Sequence, residues 1–274
     1  MRTTRFRLAT ALTASVAVIG LAACSSGGTA DGTADGDVQV VNVGALPVPA
    51  GDILQFVDDN LAADAGIDIE WTTFNDYNTP NPALSDGSTD ANLFQNDTFL
   101  ETYNQQSGDD LVSLGEIYLP AAAFHSKEYA SLDELPDGAT IAVPNDPTNE
   151  GRALKLLAAS GLIEVTDDVT NLDGITANPK NLKFVEVENA TLPLALDDSD
   201  VAFVTSSFAI PAGLTNETSI LSEDSDSDYY NVLATRAELA EDPGVQTLLE
   251  LLRSEETAAF ITETWGGLIV PFEG

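Results

Sequence analysis

Cysteine, histidine and positive charge are all scarce in this chain of 274 residues. Cys24 is its one cysteine, so no intrachain disulfide braces the fold. His125 is its one histidine, and a Ser–His–Asp set would have to use it without any G-x-S-x-G elbow in the chain. P-loop, G-x-G-x-x-G and H-E-x-x-H patterns are absent as well. Lysine and arginine number 10 against 45 aspartates and glutamates, a formal net charge of −35. Such a field disfavours nucleic acid and bare anionic lipid headgroups as partners, and it favours solubility. Carboxylates are so frequent that two of them side by side say almost nothing about acid–base chemistry. Asp224-Ser225-Asp226-Ser227-Asp228 starts like a calcium loop, but Tyr229 stands where glycine is required and Thr235 where the closing glutamate belongs. The stretch reads as a solvated acidic loop. No repeat of 20–50 residues is present. These absences predict no catalysis, no metal and no cofactor.

Long apolar runs are also scarce. Leu8 to Ala23 is uncharged, follows Arg2, Arg5 and Arg7, and falls short of the ~20 residues of a membrane-spanning helix. It ends in Leu21-Ala22-Ala23-Cys24, which resembles the lipobox of bacterial lipoprotein signal peptides, where the cysteine becomes the lipidated first residue after cleavage. A plain secretory peptide with a stray cysteine is the alternative. The expectation is therefore a signal peptide over 1–23, lipid on Cys24, a flexible Ser/Gly/Thr/Ala/Asp tether over 24–37, and a place on the extracytoplasmic face of the cell membrane. Removing 1–23 leaves 7 basic residues against 45 acidic ones, a formal charge of −38. The apolar content of 43% and mean hydropathy of +0.01 suit a packed core.

From residue 38 onward, strand and helix patterns alternate. Gln39–Gly44 alternates as a strand, Ile53, Phe56, Val57 and Leu61 mark one helix face, and Ile67–Thr72 returns as a strand. A short helix at Asn81–Leu84, a strand at Asp90–Phe94, a helix at Thr98–Gln106 and a strand at Leu111–Leu114 follow. A second series holds Thr140–Val143, a helix over Asn149–Ser160, Leu182–Val187, a helix at Leu192–Leu196 and Val201–Val204. Asp242-Pro243 opens a further helix, Asp as N-cap and Pro at N1. This rhythm predicts an α/β protein with parallel-rich sheets. Tyr118–His125 and Asp226–Leu233 read as two crossings between two lobes, lobe 1 being 38–120 plus 233–274 and lobe 2 being 121–232.

The stretch Val143-Pro144-Asn145-Asp146-Pro147-Thr148-Asn149-Glu150-Gly151-Arg152 joins a strand to a helix through a Pro/Asn/Asp turn. Thr148 or Asn149 is a suitable N-cap, and a helix N-terminus favours an anion. Arg152 in the first turn is mildly unfavourable for the helix itself, which makes sense if its guanidinium grips a carboxylate. On spacing alone, a surface arginine on an ordinary strand–turn–helix fits equally.

This decapeptide resembles the methionine-binding lipoproteins of ABC importers, the NlpA/MetQ family. Phe74-Asn75-Asp76-Tyr77 with Pro80-Asn81 and Ala83-Leu84, Asp90-Ala91-Asn92-Leu93-Phe94-Gln95, and Tyr230-Asn231 agree in order and spacing. The resemblance runs from about Val38 to the C-terminus. It implies the two-lobed type II periplasmic-binding-protein fold, an amino-acid ligand (L-methionine or similar), an ABC permease with its ATPase as partner, and no covalent chemistry. Carried over residue by residue, it implies that Arg152 clamps the ligand carboxylate with Asn149 beside it. Asn231 anchors the polar head, and Tyr77 and Phe94 wall the side-chain pocket. Taken alone, each aromatic also suits core packing, and Asn231 also suits a hinge or turn. Two candidate positions depart from the family pattern: Asn96 stands where histidine is common, and Thr205 where asparagine is common. Phe208 likewise replaces a frequent tyrosine. The alternative in another class is a surface interaction protein that keeps this fold and has lost or changed ligand binding, and a third is an extracytoplasmic hydrolase on the same scaffold.

Overall fold

The computed structural model describes residues 38–224 and 226–274. The expected signal peptide, the expected lipid site Cys24 and the expected tether fall outside them.

The chain opens with β1 (Gln39–Ala45), a helical run from α1 (Asp52–Val57) through Asp58–Ala62 to α2 (Ala63–Ala65), and β2 (Ile67–Thr73). Gly66 ends the run in the left-handed region at φ 79°, which glycine adopts without a Cβ penalty. Then come α3 (Pro80–Ser85), β3 (Ala91–Asn96), α4 (Asp97–Ser107) and β4 (Val112–Pro120). Alternation in β1 turns Val41, Val43 and Ala45 toward Ile53, Leu54 and Val57 of α1, all buried in one apolar cluster. Full burial of such a side chain contributes roughly 1.5–3 kcal/mol.

The second half holds β5 (Ala122–His125), β6 (Thr140–Pro144), α5 (Pro147–Ala159), β7 (Glu164–Val165), β8 (Ile175–Ala177) and β9 (Lys183–Val187). It continues with α6 (Leu192–Ala195), β10 (Val201–Thr205), α7 (Ser206–Ala209) and β11 (Ser219–Ser222). Ile141 and Val143 of β6 pack with Leu154 and Leu157 of α5, and Phe124 meets Phe203 edge-on at 5.1 Å. The chain closes with β12 (Asn231–Thr235), α8 (Pro243–Leu252), α9 (Glu255–Trp265) and β13 (Ile269–Pro271).

Two main sheets result, in the orders β13-β4-β12-β3-β1-β2 and β11-β5-β10-β6-β9, each with its own core. They are mixed rather than parallel-rich. β1, β2 and β3 pair parallel, as do β10, β6 and β9, while β12, β4 and β13 join the first sheet antiparallel and β5 and β11 the second. The reversed strands are β12 and β13 in the first sheet and β5 in the second, and β12 and β5 are the strands entered by crossing from the other sheet. Pro120 ends β4, Ala122 starts β5, and Ala121 alone connects them. Residues 223–230 carry the chain back, and β12 begins at Asn231, two residues ahead of the expected return to the first lobe at 233.

Candidate binding cleft

Between the sheets, where both crossings pass, lies a small cavity of about 10 Å³. Its lining comes from five elements and one loop. β3 gives Phe94, Gln95 and Asn96, α4 gives Phe99, the end of β4 gives Pro120, α5 gives Asn149 and Arg152, and β12 gives Asn231, with Tyr77 from the loop before α3. The cavity has room for about one water molecule, so the lobes must part to admit anything larger. The two halves meet around it: Tyr77 Oη lies 3.1 Å from Thr205 Oγ1, Asn78 Nδ2 donates to Glu188 at 3.0 Å, and Thr102 and Thr148 hydroxyls are 3.5 Å apart.

One wall is aromatic. Tyr77 sits 5.8 Å from Phe94, 5.9 Å from Phe99 and 5.0 Å from Phe208, ring centre to ring centre, and Leu46 completes the group. Phe208 comes from α7, so the cluster bridges both sheets. Burial pushes the Tyr77 phenol above its ordinary value and keeps it protonated, able to bond Thr205. A second space of about 130 Å³ opens on the other side of Tyr77 and Phe99, toward Thr102 and Pro147.

The opposite wall is polar. Arg152 is 3% exposed, which removes the surface-arginine reading. Its guanidinium does not wait with a free fork, however. Nε donates to Glu223 Oε1 at 2.9 Å, Nη2 to Glu223 Oε2, and Nη2 also to Pro120 O at 3.2 Å. The Tyr229 ring covers the guanidinium at 4.6 Å. Nη1 donates to no described residue. Both crossings therefore hold this arginine, Pro120 on the way out, Glu223 and Tyr229 on the way back.

Asp146, not Thr148 or Asn149, caps α5: its Oδ1 accepts from Asn149 N at 2.9 Å, with Pro147 at N1. The expected anion at this helix N-terminus is thus the protein's own. The same carboxylate takes both oxygens' worth of bonds from Asn149 Nδ2 at 3.1 Å and one from Asn189 Nδ2 at 2.6 Å. Asn149 is oriented so that its Oδ1 has no partner among the described residues. Asn231 donates from Nδ2 to Tyr118 Oη at 3.2 Å, and its Oδ1 is likewise unpartnered among them. Tyr118 is buried, which drives its phenol well above the ordinary value. Asn96 is the N-cap of α4, accepting from Phe99 N at 2.9 Å, so its side chain sets the helix that carries Phe99. His125 lies in β5 away from the cavity, bonded to Thr218 Oγ1 at 2.9 Å. Burial lowers its pKa to about 4.

The family profile of the NlpA lipoproteins matches residues 41–272. The chain belongs to the NlpA lipoprotein family. It is similar to the D-methionine-binding lipoprotein MetQ of Salmonella typhi, 37% identical over 270 residues that cover 96% of this chain and 97% of that protein. Among solved structures it is similar to the methionine-binding protein MetQ, with a TM-score of 0.81 and 36% identity over 85% of this chain and 98% of that one. It also resembles a nutrient-binding protein of Burkholderia cenocepacia bound to methionine, with a TM-score of 0.82 and 35% identity over 85% of this chain and 100% of that one. The two-lobed fold expected from the sequence is the fold of these substrate-binding neighbours.

In this family member, all seven candidate residues are buried, and six of them (Tyr77, Phe94, Asn96, Asn149, Arg152 and Asn231) line one cavity. Thr205 stands behind Tyr77 rather than in the lining. Sequence reasoning missed Glu223, Phe99, Pro120 and the amide pair below Phe94, in which Asn81 and Gln95 exchange bonds at 2.6 and 2.7 Å. Asn81 and Gln95 both fell in quoted motifs, which was the available signal. Glu223 carried none, being one acid in an acidic run. Among the described residues no helix is long and apolar enough to cross a membrane.

Proposed function

We propose that this protein is a lipid-anchored solute-binding lipoprotein that closes its two lobes on an amino acid, methionine or a close relative, and presents it to an ABC permease with its ATPase. The observation that carries the reading is the composition of one small buried cavity. Arg152, whose Nη1 has no partner among the described residues, Asn149 and Asn231, whose amide oxygens have none among them either, and an aromatic wall of Tyr77, Phe94 and Phe99 line it together. A zwitterion with an apolar side chain needs one cation, oriented amide oxygens and an apolar slot. The ligand carboxylate meets Arg152, its ammonium meets the Asn149 and Asn231 oxygens, and its side chain lies against the aromatics. Thr205 fixes Tyr77, and Asn96 fixes Phe99. The names of the relatives, a D-methionine-binding lipoprotein and a protein bound to methionine, support this ligand class.

Binding is hinge closure without covalent chemistry. The one-residue link at Ala121 and the loop 223–230 are the hinge, and lipid on Cys24 holds the domain at the membrane. Isothermal titration with L- and D-methionine tests the reading. Arg152→Lys keeps a charge but loses the planar fork, and its affinity is expected to fall at least about 100-fold, or ~2.7 kcal/mol. Wild-type affinity in Arg152→Lys would remove Arg152 from the ligand contact.

A further inference from the structure

Arg152 is the one charged residue that lines the cavity among the described residues, and its charge is already answered. Glu223 is held for that task from several sides. Oε1 accepts from Arg152 Nε at 2.9 Å and Ser227 Oγ at 2.8 Å, and Oε2 accepts from Arg152 Nη2 and from Ala122 N at 3.2 Å. Its side chain is 11% exposed and that of Arg152 2%. The pair therefore stays out of water, where a charge with no partner is costly. A guanidinium has five N–H donors. Three of them go to Glu223 and Pro120, so an incoming carboxylate is left with the two on Nη1. The side-on fork that would hold a carboxylate most strongly is spent on the protein itself. Asp146, which orients Asn149 at the cleft, adds a further negative charge close by.

We infer that Glu223 is a specificity-determining residue of this cleft. By occupying the Nε–Nη2 edge of Arg152 and cancelling its charge, it makes the cavity select a ligand of zero net charge over an anion of the same shape. An isolated arginine would welcome any carboxylate. A neutral arginine–glutamate pair accepts a carboxylate only when the ligand brings its own ammonium to balance it. This rests on the amino-acid-binding reading above and names what that site rejects.

The probe is a matched pair: methionine, and its hydroxy analogue 2-hydroxy-4-(methylthio)butanoate, in which a hydroxyl replaces the ammonium and leaves a net anion. Both are titrated calorimetrically into the full-length protein at pH 7.5 and into Glu223→Gln, which keeps the side-chain shape. Circular dichroism and thermal melting check that the variant is folded. Wild type is expected to prefer methionine by at least 100-fold, and Glu223→Gln to shrink that ratio at least tenfold. Glu223→Asp, with the charge restored, should recover part of it. A ratio unchanged in folded Glu223→Gln overturns the inference while methionine binding by wild type leaves the transport reading standing. Binding of neither ligand to wild type would instead defeat the transport reading. If Glu223→Gln does not fold, equal affinity of wild type for the two ligands still overturns the inference.

Discussion

Glu150 stands two positions before Arg152 and has an opposite fate. It is 2% exposed, and its Oε1 has no hydrogen-bond partner among the described residues. Burial first, then the nearby Glu186 carboxylate, raises its pKa from 4.5 to about 7. In the unfolded chain it ionises near 4.5. As pH rises from about 4.5 to 7, the unfolded state loses this proton and the folded state keeps it, so folding stability from this group is lost across that window. Glu150→Gln is expected to remove the loss: melting temperatures of variant and wild type should lie close at pH 4.5 and diverge, the variant higher, by pH 7.5. Parallel curves over that range would contradict the assignment. At this scale the sequence was informative about residue type and silent about partners. Arg152 stood out because cations are rare here, whereas Glu223 is one of 45 acids, with Asp224, Asp226 and Asp228 following it closely. Only the fold, by returning 223–230 past α5, reveals which acid matters.

Helix α5 shows what an element adds. Asp146 caps it and orients Asn149, so one carboxylate links helix start to cleft. Asp146→Ala should cost about 1 kcal/mol through the lost cap alone. It should also weaken ligand binding by freeing Asn149, which separate denaturant melts and titrations would resolve. Gly151 lets α5 lie against the loop before β8: a Cβ there would sit 2.6 Å from Val169 O, a backbone atom that cannot step aside. Gly151→Ala should destabilise by roughly 1–3 kcal/mol, read as a lower denaturant midpoint, and an unchanged midpoint would contradict that close approach. Strands with alternating or long apolar patterns, such as β1, β2, β6 and β10, were legible, as was the Asp242-Pro243 signal. β12 was not. All five of its residues are buried, so Asn231-Val232-Leu233-Ala234-Thr235 has no period to read, and it passed for part of a crossing. β4 was read four residues long and extends to Pro120, because nothing local marks the point where a strand leaves one sheet for another.

For the whole molecule the dominant fact is charge. With 10 basic residues against 45 acidic ones, folding brings like charges together and the compact state repels itself. Screening at 1 M salt shortens the Debye length to about 3 Å, from about 10 Å at 0.1 M. The melting temperature should therefore climb as sodium chloride is raised from 0.05 to 1 M; a flat or falling curve would show that the acids are already compensated. The buried Arg152–Glu223 pair should be nearly untouched by that titration, since screening acts on exposed charges. The two-sheet plan was legible from the alternation of patterns and the resemblance, while the reversed strands β5 and β12 follow from the two crossings, one of them a link of one residue at Ala121 that no pattern announces.

The central claim is that the cleft holds an amino acid, and the most direct measurement is mass spectrometry of what natively purified protein releases on denaturation. The account predicts methionine, or another free amino acid of no net charge, in an amount approaching one per protein. An empty cleft, together with no rise in melting temperature on adding methionine or any other amino acid, would contradict it and favour a surface protein that keeps the fold without the ligand.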